Sequence, residues 1–191
     1  MALTESNKLP LGTTAPNFSL LDTVSGAMIG FGEVRGQRGT VVMFICNHCP
    51  YVIHVNAGIV ALAEKYKEKG IGFVGISSND VSKYPQDSPE LMTQHAAEVG
   101  YNFPYLYDES QKVAKDYDAA CTPDFYVFDS NNVLVYHGQM DGSRPNSEIP
   151  ATGDTMALAL DRCIDGLPPL ENQKPSMGCN IKWKASQVTT Q

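Results

Sequence analysis

Two cysteines and a histidine lie within four consecutive residues, Cys46-Asn47-His48-Cys49, and Pro50 follows them directly. Two thiols separated by two residues form a reversible disulfide in many redox enzymes, and the same spacing supplies half of a zinc site. A reactive thiol at such a place can instead attack peroxide and become a sulfenic acid. The spacing alone therefore leaves three chemistries open, namely disulfide exchange, metal binding and peroxide reduction.

The dithiol lies between a predicted buried strand and a predicted amphipathic helix. Residues Thr40–Cys46 form an apolar run rich in β-branched side chains, which is typical of a strand buried on both faces. Over Val52–Tyr66 apolar residues recur every three or four positions, which predicts a helix, and a second buried strand follows at Ile71–Ile76. A strand–helix–strand unit of this kind requires a parallel strand pair. We expect Cys46 at or just before the amino end of the helix.

This position predicts different roles for the two thiols. The positive end of the helix dipole favours a thiolate, so we expect Cys46 to have a lowered pKa and to be the attacking nucleophile. Cys49, one helical turn further on, is then the resolving and more buried thiol. A charged His48 would stabilise the thiolate further and make the couple more oxidising, because the reduced form gains that electrostatic energy. Pro50 fits the first helical turn, where its missing N–H costs little.

The rest of the chain predicts an α/β fold. Ser88 is the predicted N-cap of a helix that ends at Gly100, and Asp108 and Gln111 have capping-box spacing ahead of a short helix. The other predicted elements are an N-terminal hairpin (Phe18–Leu21 with Ala27–Ile29), a strand at Pro104–Tyr107, a second hairpin (Phe125–Phe128 with Val133–His137) and a last helix at Thr152–Asp165. This order predicts a central mixed β-sheet flanked by helices. We expect one domain over residues 1–191, with a core at about 9–167 and an irregular tail at about 168–191.

The motif at a strand-to-helix junction, with Thr122-Pro123 later ahead of a predicted strand, resembles the thioredoxin fold. The stretch Leu11–Phe18 is similar to the opening of peroxiredoxins and of TlpA- and ResA-like thiol–disulfide oxidoreductases. Gly178–Lys184 resembles a branch of redoxin-domain, AhpC/TSA-like proteins. The resemblance implies a thioredoxin-like fold with an N-terminal β-hairpin extension of the peroxiredoxin/TlpA type. It also implies that Pro123 is cis and packs against the dithiol, with Thr122 as a supporting residue.

The peroxidase hypothesis lacks one element of its motif. In peroxiredoxins the pattern Pro-x-x-x-Thr/Ser-x-x-Cys places a hydroxyl against the peroxide. Counted back from Cys49, the two places hold Val42 and Cys46, and counted back from Cys46 they hold Gly39 and Met43. Neither alignment provides the hydroxyl, so disulfide exchange is favoured over peroxide reduction.

The three cysteines outside the motif could be redox thiols, metal ligands or packing residues. Zinc needs four ligands, usually from two close pairs, and no second C-x-x-C exists, so we predict no metal. Cys121 lies two residues before Pro123 and is either a third redox thiol or a small packing residue. Cys179, next to Gly178 in the tail, is either an accessory or resolving thiol or a structural residue. Cys163 lies on the apolar face of the last predicted helix and is assigned to the core.

Composition limits the classes of partner. Hydrophobic residues make up 42% and charged residues 18% of the 191 residues, as in ordinary globular proteins. A formal charge of -7 disfavours a broad surface for nucleic acids or anionic membranes, because both are polyanions. The apolar runs are too short to span a bilayer, and Met1–Lys8 has neither the basic nor the apolar region of a secretory signal. We therefore expect a cytoplasmic protein.

The sequence thus predicts a thiol–disulfide oxidoreductase that cycles Cys46 and Cys49 between dithiol and disulfide. No cofactor is expected, because the sulfur atoms carry the electrons. Disulfide-bearing proteins or small molecules are the expected substrates, a thioredoxin- or glutathione-type system is the expected reductant, and a monomer or weak homodimer is the expected state. The alternatives are an antioxidant, peroxiredoxin-like thiol peroxidase and a thiol or metal binding module that senses rather than catalyses.

Overall fold

A computed structural model describes residues 3–185 of the chain as strands and helices in alternation. The strands are β1 (Leu3–Glu5), β2 (Ser19–Asp22), β3 (Met28–Gly30), β4 (Gly39–Phe44), β5 (Ile71–Ser77), β6 (Tyr105–Tyr107), β7 (Cys121–Thr122), β8 (Asp124–Asp129), β9 (Leu134–Gly138) and β10 (Met177–Asn180). The helices are α1 (Phe31–Val34), α2 (Pro50–Lys67), α3 (Pro89–Val99), α4 (Lys112–Asp116) and α5 (Asp154–Ile164), and a 3-10 turn covers Pro85–Asp87. Within the described range no helix is both long and apolar enough to cross a lipid bilayer.

Seven strands form one mixed sheet in the order β3-β2-β6-β5-β4-β8-β9. Strand β4 is parallel to β5 and antiparallel to β8, and β5 is parallel to β6. The predicted α/β fold with a central mixed sheet is therefore confirmed, as is the N-terminal hairpin, which β2 and β3 form. The central strand β4 leads directly into the C-x-x-C segment, so the most buried part of the sheet positions the dithiol.

Both faces of the sheet are covered, and β4 shows why. All six of its residues are buried. Val41 and Met43 pack into one apolar cluster, whereas Val42 and Phe44 pack into another. Successive side chains of a strand point to opposite faces, so an unbroken apolar run fits only a strand that is covered on both sides.

Helix α3 begins and ends where its cap residues predict. The Ser88 hydroxyl oxygen accepts a hydrogen bond from the backbone N–H of Leu91 at 3.4 Å, and Pro89 is the first helical residue. Gly100 ends the helix with a φ of 82°, a left-handed conformation that glycine adopts at little cost. This helix holds the preceding 3-10 turn in place beside the dithiol.

The predicted capping box at Asp108 and Gln111 is wrong. Gln111 is the N-cap of α4, but it makes no side-chain cap bond, and its amide instead donates to the backbone carbonyls of Ser78 and Lys182. The Asp108 carboxylate accepts a hydrogen bond from the backbone N–H of Ala114, a residue of α4 that lies beyond the capping-box positions. The spacing of a capping box is therefore present, but the side chains of Asp108 and Gln111 form hydrogen bonds with distant residues instead of forming the box.

The predicted irregular tail is also wrong in part. Residues Met177–Asn180 form β10, which pairs antiparallel with β1 on one side and with β7 on the other. The sequence Met-Gly-Cys-Asn has neither alternation nor β-branched residues, so no local pattern predicts a strand. Pairing with two distant segments supplies the hydrogen bonds instead, and it brings the tail to the dithiol.

Candidate active site

The two thiols of the C-x-x-C segment lie where β4 gives way to α2. Cys49 is the N-cap of α2 and Pro50 is its first residue, while Cys46 lies in the connection before the helix. Both cysteines are buried, with exposed fractions of 1% for Cys46 and 0% for Cys49. Cys46 therefore lies just before the helix, within the expected range, but the residue at the helix end itself is Cys49, because Asn47 and His48 are not helical.

Because Cys49 rather than Cys46 lies at the helix end, the thiolate is assigned to Cys49 and not, as predicted, to Cys46. Hydrogen bonds from the Cys46 thiol, the Cys179 thiol and Thr122, together with the backbone N–H of Val52, outweigh burial and lower the pKa of Cys49 to about 5. The pKa of Cys46 is raised well above its usual value, first because its S–H is bonded to Cys49, and then by burial and the Asp87 carboxylate. The helix end stabilises negative charge as expected, but on the second cysteine.

Thr122, which precedes Pro123, lies against both sulfurs. The peptide bond between them is cis, as the resemblance implies. The Thr122 hydroxyl oxygen is 3.6 Å from Cys46 Sγ, and its carbonyl oxygen lies 3.2 Å from Cys49 Sγ. This carbonyl accepts a hydrogen bond from Cys49 when the thiol is protonated. The structure thus brings the predicted supporting residue Thr122 to the dithiol, joined to Pro123 by the expected cis peptide bond.

His48 is held by a carboxylate that is distant in the sequence. Its Nδ1 lies 2.7 Å from Oδ2 of Asp87, and its ring stacks on Tyr84 with centroids 5.5 Å apart. The Asp87 carboxylate is fully buried and also accepts from the backbone N–H of Asn47 and the side chain of Asn79. These bonds fix both the ring of His48 and the non-helical path of the C-x-x-C segment.

No sequence pattern assigns Asp87 a role in the site. Nothing in its spacing connects it with His48, which lies 39 residues earlier in the chain. Its nearest local signal is the Ser88 N-cap that follows it, which predicts a helix boundary and no chemistry. A buried carboxylate that binds the dithiol segment can be recognised only once the 3-10 turn is placed beside that segment.

Cys179 lies in direct contact with the dithiol. Its sulfur is 2.8 Å from Cys49 Sγ, and the residue is buried with an exposed fraction of 4%. In the β10–β7 pair it stands opposite Thr122. Burial, followed by the hydrogen bond to the Cys49 thiolate, raises the pKa of Cys179 to about 12. The structure therefore joins a third thiol to the two predicted from the motif.

The remaining two cysteines are separate from this group. The Cys121 thiol is buried and donates to the carbonyl of Pro123 at 3.8 Å, and burial raises its pKa. The Cys163 thiol contacts the carbonyl of Arg38 at 3.6 Å, close to Gly39 at the start of β4, whereas the dithiol follows the end of that strand. Neither sulfur has a hydrogen bond to Cys46 or Cys49 in the described part of the chain, which favours a packing role for both.

Three potential metal ligands also meet here. One ligand atom each of Cys46, His48 and Asp87 lies within 4.8 Å of the others. However, the imidazole and the carboxylate are bonded to each other, and both carboxylate oxygens of Asp87 already accept other hydrogen bonds. A metal ion would have to replace these bonds and find a fourth ligand.

Comparison with known families gives a match over most of the chain. The family model described as Redoxin matches residues 10–153. Peroxiredoxin Q from rice, Oryza sativa subsp. japonica, is 25% identical over 138 residues, which are 68% of this chain and 58% of the relative. The chain therefore spans somewhat more than half the length of this curated relative.

Two solved structures resemble this chain, one at high and one at low sequence identity. An uncharacterized conserved protein from Geobacillus kaustophilus is 55% identical, with a TM-score of 0.95 over 97% of this chain and 98% of that chain. The thioredoxin domain of a thiol-disulfide oxidoreductase from Bacteroides vulgatus is 16% identical, with a TM-score of 0.61 over 79% of this chain and 98% of that chain. The second likeness shows the thioredoxin-like fold that the sequence predicts.

Proposed function

The chain belongs to the redoxin family, and on this basis we propose that it is a thiol–disulfide oxidoreductase in which Cys46 and Cys49 cycle between a dithiol and a disulfide. One observation carries the proposal. The Cys49 sulfur lies at the N-cap of α2, and a hydrogen bond from the Cys46 thiol is the largest cause that lowers its pKa to about 5. A stabilised thiolate beside a second thiol is what disulfide exchange requires.

The first step is attack of the Cys49 thiolate on one sulfur of a substrate disulfide. An S–S bond forms between Cys49 and that sulfur, the substrate S–S bond breaks, and the second substrate sulfur leaves as a thiolate that takes up a proton. This order of attack reverses the one expected from the motif. It follows from the lowered pKa of Cys49 and the raised pKa of Cys46.

The second step is attack of Cys46 on the Cys49 sulfur of the mixed disulfide. Cys46 gives its proton to the leaving substrate thiolate, the Cys46–Cys49 disulfide forms, and the mixed disulfide breaks. The substrate gains two electrons and two protons in total. When Cys49 loses its negative charge in the first step, the largest cause of the raised pKa of Cys46 also disappears, so Cys46 becomes the better nucleophile at the moment it is needed.

His48 lies close to Cys46. One nitrogen of its ring lies within 4.8 Å of Cys46 Sγ. The Asp87 carboxylate binds Nδ1, which favours the tautomer with a proton on Nδ1 and leaves Nε2 as the acceptor. We therefore propose His48 as a supporting residue of the dithiol, held in position by Asp87.

An insulin-reduction assay tests this function. With dithiothreitol as the electron source, the wild-type protein is expected to accelerate insulin precipitation, and Cys49→Ser is expected to abolish that acceleration. Cys163→Ser is the matched control, because this thiol lies away from the dithiol, and it is expected to match the wild type. Equal activity of wild type and Cys49→Ser would contradict the proposal.

Peroxide reduction is the second candidate. The hydroxyl that the C-x-x-C segment itself lacks is supplied by Thr122, 3.6 Å from Cys46 Sγ, and the chain is similar to a peroxiredoxin. A thiolate would attack the peroxide, break its O–O bond and become a sulfenic acid, and the other thiol would then displace water to form the disulfide. Rapid consumption of hydrogen peroxide with slow insulin reduction would favour this candidate over the first.

A thiol or metal binding module is the third candidate. Within the described residues, this candidate is supported only by the close approach of possible ligand atoms from Cys46, His48 and Asp87. One equivalent of zinc in the purified protein, lost in Cys46→Ser, would favour it over both enzymes. If the protein carries no zinc and reduces insulin, this candidate is excluded.

The partners follow from the proposed chemistry. We propose a disulfide-bearing protein or small molecule as the substrate and a thioredoxin- or glutathione-type system as the reductant, acting on a single-domain, cytoplasmic protein. Both sulfurs are buried, so a substrate reaches them only when the surrounding side chains move. Comparing oxidised glutathione with insulin as substrates would show which size of disulfide is accepted.

A further inference from the structure

We propose that Cys179 is a second resolving thiol, which closes a reversible disulfide with Cys49 in place of Cys46. This inference rests on the proposed disulfide exchange at Cys49 and extends it from two thiols to three. It assigns a redox role to β10, a strand in the part of the chain that follows the matched family region.

The distance between the sulfurs carries the inference. Cys49 Sγ and Cys179 Sγ are 2.8 Å apart, compared with about 2.05 Å in a disulfide bond. Cys49 therefore has a thiol on each side, Cys46 from the C-x-x-C segment and Cys179 from β10, and both are hydrogen-bonded to it. A small movement of either side chain forms a bond to the same central sulfur.

The position of Cys179 is fixed by backbone pairing. Strand β10 lies between β1 and β7, and Cys179 stands opposite both Leu3 and Thr122. At Gly178 a Cβ atom would collide with the carbonyl oxygen of Thr122, so the close approach of β10 to β7 requires glycine there. Thr122 also contacts the Cys46 and Cys49 sulfurs, so the same residue aligns all three thiols.

The chemistry balances without another reactant. In the mixed disulfide, the Cys179 sulfur attacks Cys49, its proton goes to the departing substrate thiolate, and a Cys49–Cys179 disulfide replaces the mixed one. Alternatively, Cys179 attacks Cys49 in the Cys46–Cys49 disulfide and releases Cys46, an exchange with no net oxidation. In either state Cys49 carries no charge. The hydrogen bond to the Cys49 thiolate and the repulsion by its charge, which both raise the pKa of Cys179, are then absent, while Lys182 still lowers that pKa.

Oxidised glutathione is a suitable probe, with intact-mass and peptide-mapping mass spectrometry as the readout. In full-length Cys46→Ser, Cys49 is expected to acquire a glutathionyl group that Cys179 then displaces. The end product is a protein two hydrogens lighter with peptides cross-linked through Cys49 and Cys179. In Cys46→Ser/Cys179→Ser, the glutathionyl group is expected to stay on Cys49.

A stable glutathionyl group on Cys49 in Cys46→Ser, with no peptides cross-linked through Cys49 and Cys179, would overturn the inference. Cys46→Ser/Cys121→Ser is the matched control, because Cys121 is buried nearby without a bond to Cys49, and it is expected to form the same cross-link as Cys46→Ser. The decisive peptide map is made on Cys46→Ser, which leaves β10 unchanged, so it does not depend on how well a Cys179 variant folds.

Failure of the underlying function gives a different result. If the proposed exchange at Cys49 is wrong, the double variant acquires no glutathionyl group and the wild type forms no Cys46–Cys49 disulfide. If only the role of Cys179 is wrong, both of these products form and the Cys49–Cys179 cross-link is absent.

Discussion

At the residue scale, the chemistry depends on which sulfur holds the negative charge. Cys49 receives hydrogen bonds from Cys46, from Cys179 on β10 and from Thr122 beside the cis proline. Cys46 instead keeps its proton, donates a hydrogen bond to Cys49 and is influenced by the negative charge of Asp87. The C-x-x-C motif identifies the pair, but the partners that divide the charge between the two sulfurs come from distant segments.

The pKa of Cys49 gives the first residue-scale prediction. Titration of the ultraviolet thiolate absorbance in the reduced protein should show one thiolate that protonates at a pH of about 5. The step should vanish in Cys49→Ser. It should move to higher pH in Cys46→Ala, because the hydrogen bond from Cys46 is the largest cause that lowers this pKa. A low-pH step that survives in Cys49→Ser would assign the thiolate to another cysteine.

Asp87 gives the second prediction. Its charge is one cause of the raised pKa of Cys46, so Asp87→Asn should lower that pKa and shift the alkylation of Cys46 by iodoacetamide to lower pH. Peptide mass spectrometry across a pH series measures the shift. Asp116→Asn, on α4, is a control that should leave the Cys46 profile unchanged. An unchanged profile in Asp87→Asn would mean that the carboxylate does not act on Cys46.

At the element scale, local patterns predict the strands and helices that have strong periodicity or clear caps. The apolar run of β4, the three-and-four spacing of α2 and the Ser88 and Gly100 caps of α3 all have local causes. Strand β10 has none, because its four residues become a strand only by pairing with β1 and β7. The three-thiol cluster could therefore not be predicted beyond naming Cys179 as an accessory candidate.

Gly178 tests how β10 holds the cluster together. Gly178→Ala forces a Cβ against the Thr122 carbonyl oxygen, so β10 should separate from β7 and the protein should lose roughly 1–3 kcal/mol of stability, the usual cost of overpacking. Urea denaturation measures this loss. Gly32→Ala is the matched control, because a Cβ there meets nothing within 4 Å and alanine favours a helix. Equal stability of the two variants would show that the β10–β7 approach is not tight.

At the scale of the whole molecule, the sequence predicts the mixed sheet, the helices that cover it and the place of the dithiol. The side chains of β4 explain this success, because a strand whose side chains fill two apolar clusters must be covered on both faces. The Asp87–His48 contact and the Cys49–Cys179 contact join residues 39 and 130 positions apart, and no local signal encodes either. The sequence predicts thiol–disulfide exchange, whereas the proposed order in which Cys49 and Cys46 react depends on contacts that only the structure shows.

The lowered pKa of Cys49 also links stability to pH. Between its pKa of about 5 in the folded protein and about 8.5 in the unfolded chain, the unfolded state binds one more proton. The contribution of Cys49 to the free energy of unfolding should therefore increase from pH 5 to 8.5 and be lost as the pH falls through 5. At higher pH the raised pKa values of Cys46, Cys121 and Cys179 reverse the trend, because these thiols stay protonated only when folded.

Urea denaturation of the reduced protein across this pH range measures the effect. The stability difference between wild type and Cys49→Ser should grow with pH up to about 8.5. Cys163→Ser, whose thiol lies outside the cluster, should show no such growth. A difference for Cys49→Ser that is independent of pH would contradict the assignment of the thiolate to Cys49.

Disulfide cycling is tested most simply by the redox state of Cys46 and Cys49 in glutathione buffers of defined ratio. After acid quenching and alkylation, mass spectrometry counts the free thiols at each ratio. We expect Cys46 and Cys49 to be lost together in one two-electron transition, with a disulfide as the product. Loss of the Cys49 thiol without a disulfide to Cys46 or Cys179, or a Cys46–Cys49 pair that stays reduced at every ratio, would contradict the proposed cycle.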